Sequence, residues 1–165
     1  MRGKSDGRAK ITQETDSQPR RHGATRSGGD DKEDMADNPL SGRKVLIVED
    51  ETLVAMMMEA MVEELGATVI GSKARVGEAL DFIATRHHEI DIVMLDLNLG
   101  GTRCYSVASA ATGHGIPFVF STGYQDGDII EEWRDRPMLT KPFQLSELQG
   151  ALALALGAGL NAGQA

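Results

Sequence analysis

The sequence contains a single cysteine, Cys104, in 165 residues. No internal disulfide and no multi-cysteine zinc or iron–sulfur site can form, and a reducing compartment, the cytoplasm, is expected. Long hydrophobic runs are also missing. The most apolar stretch, Ala151 to Leu160, is ten residues interrupted by Gly157 and Gly159, against the roughly 18 or more that a membrane span requires. No membrane association is expected. Basic charge is scarce where it would matter. Of the net charge of −8, residues 1–40 contribute nothing, because they hold eight Lys/Arg and eight Asp/Glu, leaving nine basic against seventeen acidic residues in 41–165. Such a domain repels a phosphate backbone and has no compact Lys/Arg run to release counterions, so nucleic-acid binding is not expected. The length favours one domain and excludes a large multidomain enzyme.

Residues 1–40 have no aromatic residue and only seven apolar ones, Met1, Ala9, Ile11, Ala24, Met35, Ala36 and Leu40. That is too little apolar surface to offset the entropy of ordering such a length, and the segment reads as a disordered N-terminal tail. It lacks the apolar stretch of a secretory signal and is too acidic for a transit peptide. Met35, beside the change in composition, is a second candidate for the natural start.

From Arg43 the pattern becomes short apolar runs alternating with helix-periodic segments, the signature of an α/β chain built on a parallel sheet. The runs are Val45 to Val48, Thr68 to Ile70, Ile90 to Leu95, Ile116 to Phe120 and Met138-Leu139. The first, third and fourth are continuously apolar and rich in β-branched residues, as central strands covered on both faces should be. A first helix over about 51–65 follows from the stripe Leu53, Val54, Met57, Met58, Met61, Val62 and Leu65, with Gly66 as its stop; the methionines read as core packing. A second runs from Val76 through Leu80, Phe82 and Ile83 toward Arg86. A third spans 103–112, ended by Gly113 and Gly115. The segment after Gly123 is read as helix on the weakest pattern of the domain. A last helix from about Gln144 places Leu145, Leu148, Leu152 and Leu156 on one face. Residues 158–165 are expected to form a short flexible C-terminus.

In an open parallel sheet the loops leaving the carboxyl ends of the strands form the binding crevice. Strand one ends in Glu49-Asp50-Glu51, strand three in Asp96, strand four in Ser121-Thr122-Gly123 and strand five in Lys141-Pro142. Carboxylates ending neighbouring strands repel unless a cation lies between them. Oxygen ligands without His or Cys select a hard ion, Mg²⁺ or Mn²⁺. A hydroxyl and an ammonium at the next two strand ends suit an incoming phosphoryl oxygen. This is the inventory of a phosphoryl-transfer site with a carboxylate nucleophile.

Four segments carry a resemblance: Val45-Leu-Ile-Val-Glu-Asp50, Met94-Leu-Asp-Leu-Asn98, Phe120-Ser-Thr-Gly-Tyr124 and Thr140-Lys-Pro-Phe143. In order and placement they resemble the motifs of a response-regulator receiver domain over about residues 43–157. The third also resembles the Phe-Ala-Thr-Gly-X-Tyr motif of a group of stand-alone bacterial regulators, departing from it at Ser121 and by one position before the tyrosine. The resemblance implies a doubly wound five-stranded sheet of flavodoxin-like order 2-1-3-4-5. It also implies that Asp96 accepts a phosphoryl group from a histidine kinase or histidine phosphotransferase. Asp50, Asp96 and the backbone carbonyl of Asn98 would ligate Mg²⁺ (or Mn²⁺), with Glu49 acting through water. Thr122 and Lys141 would contact the phosphoryl group, and a cis peptide is expected before Pro142. Met138 stands where most receiver domains carry a switching aromatic residue, and Tyr124 is its candidate substitute.

With about eight residues after Leu156, the chain as given has no room for a helix-turn-helix or an enzyme domain. Output is expected through an unidentified protein partner or through competition for phosphoryl groups, and the chain is not expected to be an enzyme. The alternatives are a small phosphohydrolase with an aspartyl-phosphate intermediate, whose usual second acid is replaced by Asn98, and a docking module that is never phosphorylated. His87 and His88 read as surface histidines, Cys104 as an inert thiol, and Glu131, Glu132 and Asp135 as a solvated face.

Overall fold

The computed structural model describes residues 38–123 and 126–162. Parallel strands β1 (Lys44–Val48), β2 (Thr68–Lys73), β3 (Ile92–Asp96), β4 (Phe118–Thr122) and β5 (Met138–Thr140) form one sheet in the order β2-β1-β3-β4-β5. Its three inner strands are the three continuously apolar runs. Period-2 alternation divides their side chains between two cores. Leu46, Val48, Val93, Leu95, Phe118 and Phe120 face helices α2 (Val76–Arg86) and α3 (Tyr105–Gly113). Val45, Ile47, Ile92, Met94 and Val119 face α1 (Thr52–Glu64) and α4 (Leu145–Ala162). Each fully buried large apolar side chain contributes roughly 1.5–3 kcal/mol, and inserting one residue into an inner strand would send each core's side chains into the other and spoil the packing of both.

Helix α1 buries Met58, Val62 and Leu65, with Val54 and Met61 half-buried, but Leu53 (81% exposed) and Met57 (41%) face outward. At 100° per residue both lie well away from the Met58–Val62 line, so the expected stripe was drawn too wide. Gly66, at φ +80°, closes this helix, its N–H donating to the Glu63 carbonyl. In β2 the register against β1 slips between Val45 and Leu46, and Gly71 is the residue set opposite Leu46. A Cβ there would lie 3.0 Å from Phe82 and 3.3 Å from Leu46, so any other residue would have to push the Phe82 ring aside.

Several boundaries differ from expectation. Leu40, assigned to the tail, is fully buried among α1 and β1 residues, while the Asn38 side chain donates to the Leu65 carbonyl at 2.8 Å and accepts the Leu40 N–H. A turn with local side-chain hydrogen bonds, rather than an apolar run, orders these residues. The rest of the expected tail, residues 1–37, lies outside the described residues. Helix α4 continues to Ala162, beyond the expected boundary at 157, because alanine and leucine sustain a helix past Gly157 and Gly159; residues 163–165 lie outside the described residues. The helix expected after Gly123 reduces to one 3₁₀ turn, Glu131–Trp133. Gly127 at φ +65° between two aspartates interrupts it. That segment is nonetheless anchored, since Ile129 and Trp133 are buried and Trp133 meets Phe118 edge to face at 5.6 Å. A short antiparallel ribbon, Asn98–Leu99 with Thr102–Arg103, follows β3 and had no counterpart in the sequence pattern.

Candidate functional site

The sheet order makes β3 the neighbour of both β1 and β4, so Glu49, Asp96 and Thr122 leave adjacent strand ends. Asp96 is in register with Ser121, and Thr122 with Thr140. The Lys141 N–H donates to the Thr122 carbonyl at 2.7 Å, extending the pairing past the end of β5. The Lys141–Pro142 peptide is cis, as the resemblance implied.

At this edge Lys141 Nζ donates to Asp96 Oδ2 at 2.9 Å and to Glu49 Oε2 at 3.2 Å. Glu49 and Asp96 are buried and Asp50 is exposed, and each can offer one oxygen so that all three lie within 4.8 Å of one another. Backbone donors fix the two buried acids: the Asn98 N–H donates to Asp96 Oδ1 at 2.9 Å and the Glu51 N–H to Glu49 Oε1 at 3.1 Å. Burial pushes the Glu49 carboxyl up to about 7, against the lowering effect of the Glu51 N–H; the Asp96 charge raises it further and Lys141 opposes. Burial also works against the Lys141 charge, but the hydrogen bond and charge of Asp96, with those of Glu49, hold its ammonium above the ordinary lysine value. Three carboxyl groups facing one ammonium leave an anionic, all-oxygen donor set, which fits a hard divalent cation such as Mg²⁺ or Mn²⁺.

The Thr122 hydroxyl is turned toward the Leu139 carbonyl at 3.4 Å, a long and weak bond. Ser121 Oγ is buried with no hydrogen-bond partner among the described residues. The Asn98 side chain is also engaged: Oδ1 accepts the Gly101 N–H at 2.9 Å and Nδ2 donates to Asp126 at 3.2 Å. Asp126 and Arg103 enter the site's surroundings without having been singled out from the sequence. The Gly123-x-x-Asp126 spacing, a short acid three residues after a glycine that follows a strand, was the available signal. Tyr124 lies outside the described residues. Met138 is 43% exposed on the edge strand.

The remaining candidates enter none of these hydrogen bonds. The Cys104 thiol is buried and pushed up to about 12 by that burial, with the neighbouring acids adding to the effect. His88 is exposed, but His87 is half-buried and stacks on His114 at 4.1 Å, correcting its reading as a surface histidine. Glu131, Glu132 and Asp135 are exposed.

Comparison with known proteins places these features in context. The family described as response regulator receiver domain matches residues 45–153. The transcriptional regulatory protein PdtaR of Mycobacterium tuberculosis is 32% identical over 118 residues, covering 69% of this chain and 57% of PdtaR. The phyllosphere-induced regulator PhyR of Methylorubrum extorquens is 32% identical over 117 residues, covering 68% of this chain and 43% of PhyR. The chain thus aligns with about half the length of these curated relatives. The solution structure of SdrG from Sphingomonas melonis Fr1 is 42% identical with a TM-score of 0.61, covering 72% of this chain and 97% of SdrG. SdrG has also been solved in a BeF3-activated conformation, 41% identical with a TM-score of 0.61, covering 70% of this chain and 98% of that one.

Proposed function

The chain belongs to the response-regulator receiver family of two-component signalling, and from that premise we propose that it is a phosphoryl-accepting switch whose acceptor is Asp96. The donor is a histidine kinase or histidine phosphotransferase in the cytoplasm. Asp50, Asp96 and the Asn98 carbonyl would hold the cation, Mg²⁺ or Mn²⁺, with Glu49 acting through water. One observation carries the reading: the Lys141 ammonium and the Asn98 N–H grip opposite oxygens of the Asp96 carboxylate at 2.9 Å each.

Those two donors fix the plane of the carboxylate and the direction in which its oxygens point. An Asp96 oxygen forms the new P–O bond as the P–N bond to the donor histidine breaks, and the departing imidazole nitrogen takes up a proton. The divalent cation, when bound, adds positive charge beside the phosphoryl oxygens. Lys141 adds the second positive charge and costs little reorganisation, because it is already seated. The Thr122 hydroxyl exchanges its long bond to Leu139 for a charge-assisted one to the phosphoryl group, worth roughly 1.5–3 kcal/mol.

A switch is favoured over a turnover phosphohydrolase. The residue two positions after the acceptor is Asn98, whose amide is tied to Gly101 and Asp126 and carries no transferable acid proton. Output then runs through protein contacts or as a phosphoryl sink. Mass spectrometry after incubation with Mg²⁺ and a small phosphodonor tests the assignment: the wild-type chain gains one phosphoryl mass and Asp96→Asn does not. Equal gain by the variant removes Asp96 as the acceptor.

A further inference from the structure

The loop after β4 carries a buried anion that phosphoryl transfer does not use. Asp126 is 7% exposed. One carboxylate oxygen accepts the Gly123 N–H, and the other accepts Asn98 Nδ2 at 3.2 Å. The Asp126 N–H returns a bond to the Gly123 carbonyl at 3.2 Å, and its carbonyl accepts from the Arg103 guanidinium. One residue therefore ties the segment leaving Thr122 to the segment leaving Asp96 and to the ribbon beyond it.

Asn98 stands between two carboxylates, its N–H on Asp96 and its side-chain amide on Asp126. Gly123 is the residue next to Thr122, and its single N–H proton can serve only one anion at a time. An acyl phosphate on Asp96 carries about two negative charges where the carboxylate carried one, and it places three strong acceptor oxygens at this edge. It competes for the donors that Asp126 holds and repels the carboxylate that holds them.

We infer that Asp126 is an internal anionic latch: its carboxylate occupies the Gly123 N–H in the resting chain and is displaced when an anion arrives on Asp96. This rests on Asp96 being the acceptor. Displacement releases Gly123 from Asp126, which Arg103 and Asn98 otherwise hold in place, so Asp126 is a positioning residue that sets the balance between resting and activated states.

The test uses the full chain as wild type, Asp126→Ala and Asp126→Asn, titrated first with Mg²⁺ and then with beryllofluoride, following the Gly123 amide by ¹⁵N-edited NMR. Removing a competing charge-assisted hydrogen bond should lower the beryllofluoride midpoint of Asp126→Ala by about tenfold while leaving the Mg²⁺ midpoint unchanged. The resting Gly123 amide proton should move upfield in Asp126→Ala, and the beryllofluoride-bound spectra of both chains should converge at Gly123. Asp126→Asn keeps the side chain's shape and should show the same directions with a smaller shift, which decides the matter if the alanine variant fails to fold. A wild type that binds beryllofluoride with variants that bind it equally or more weakly overturns the latch and leaves the acceptor assignment standing. A wild type that binds none overturns both.

Discussion

The ammonium of Lys141 lies 2.9 Å from the carboxylate of Asp96, a residue 45 positions earlier in the chain. The same nitrogen is 3.2 Å from Glu49. Lys141 is thus the positive charge that lets two buried acids face each other across neighbouring strands. Removing it leaves them uncompensated in a poorly solvated site.

Lys141→Met should therefore destabilise the metal-free chain by about 3 kcal/mol, the scale for breaking a buried ion pair. Added Mg²⁺ should raise the melting temperature of this variant more than that of the wild type, because the cation replaces the missing charge. Thermal denaturation with and without millimolar Mg²⁺ measures both; equal Mg²⁺ effects would contradict the charge-balance argument.

The raised Glu49 carboxyl predicts a pH dependence with a definite sign. Its folded value of about 7 lies above the ordinary 4.5, so between these pH values the native chain holds a proton that the unfolded chain has lost. Stability from this group is complete below pH 4.5 and declines as pH rises through 7, by up to about 3 kcal/mol at 1.36 kcal/mol per unit. Urea denaturation of metal-free protein from pH 5 to 8 should show the decline, and Glu49→Gln should flatten it.

Gly71→Ala should cost about 1–3 kcal/mol, because the new methyl group meets Phe82 at 3.0 Å and Leu46 at 3.3 Å. Combining it with Phe82→Leu should recover part of the loss, since the contact atoms belong to the far end of the ring. Additive losses in the double variant would place the strain elsewhere.

Met138 is half-exposed and unbranched, with no hydroxyl to exchange between two environments, whereas the Thr122 hydroxyl makes a long, weak bond to Leu139 that it can give up. Met138→Leu should accordingly preserve the spectral change produced by Mg²⁺ and beryllofluoride, and Thr122→Ala should largely abolish it. The reverse ranking would return the switch to the edge-strand position.

Strand ends were legible in the sequence because apolar runs stop abruptly at charged residues, and a parallel sheet brings such ends to one edge. Glu49, Asp96 and Lys141 can therefore be grouped from the sequence alone. The ties made by Asp126, the Arg103 contact and the His87–His114 stack were not legible, since each depends on how an irregular segment turns and no period encodes that. Leu40 shows the same limit at the domain boundary: composition averaged over a long polar segment hides one residue that a local turn delivers into the core.

The distribution of the site along the chain also orders events in time. Its acids belong to β1 and β3, and the cation that balances them follows the last strand, 92 positions after Glu49. A nascent chain emerging from the ribosome assembles the repelling groups first and acquires their counter-charge only when β5 is added. Until then β4, whose five residues are all buried in the finished sheet, has an open edge and nothing to pair with on that side. Competence to receive an anion accordingly arrives only with Lys141, and a translation product truncated before it would lack the ammonium that grips Asp96.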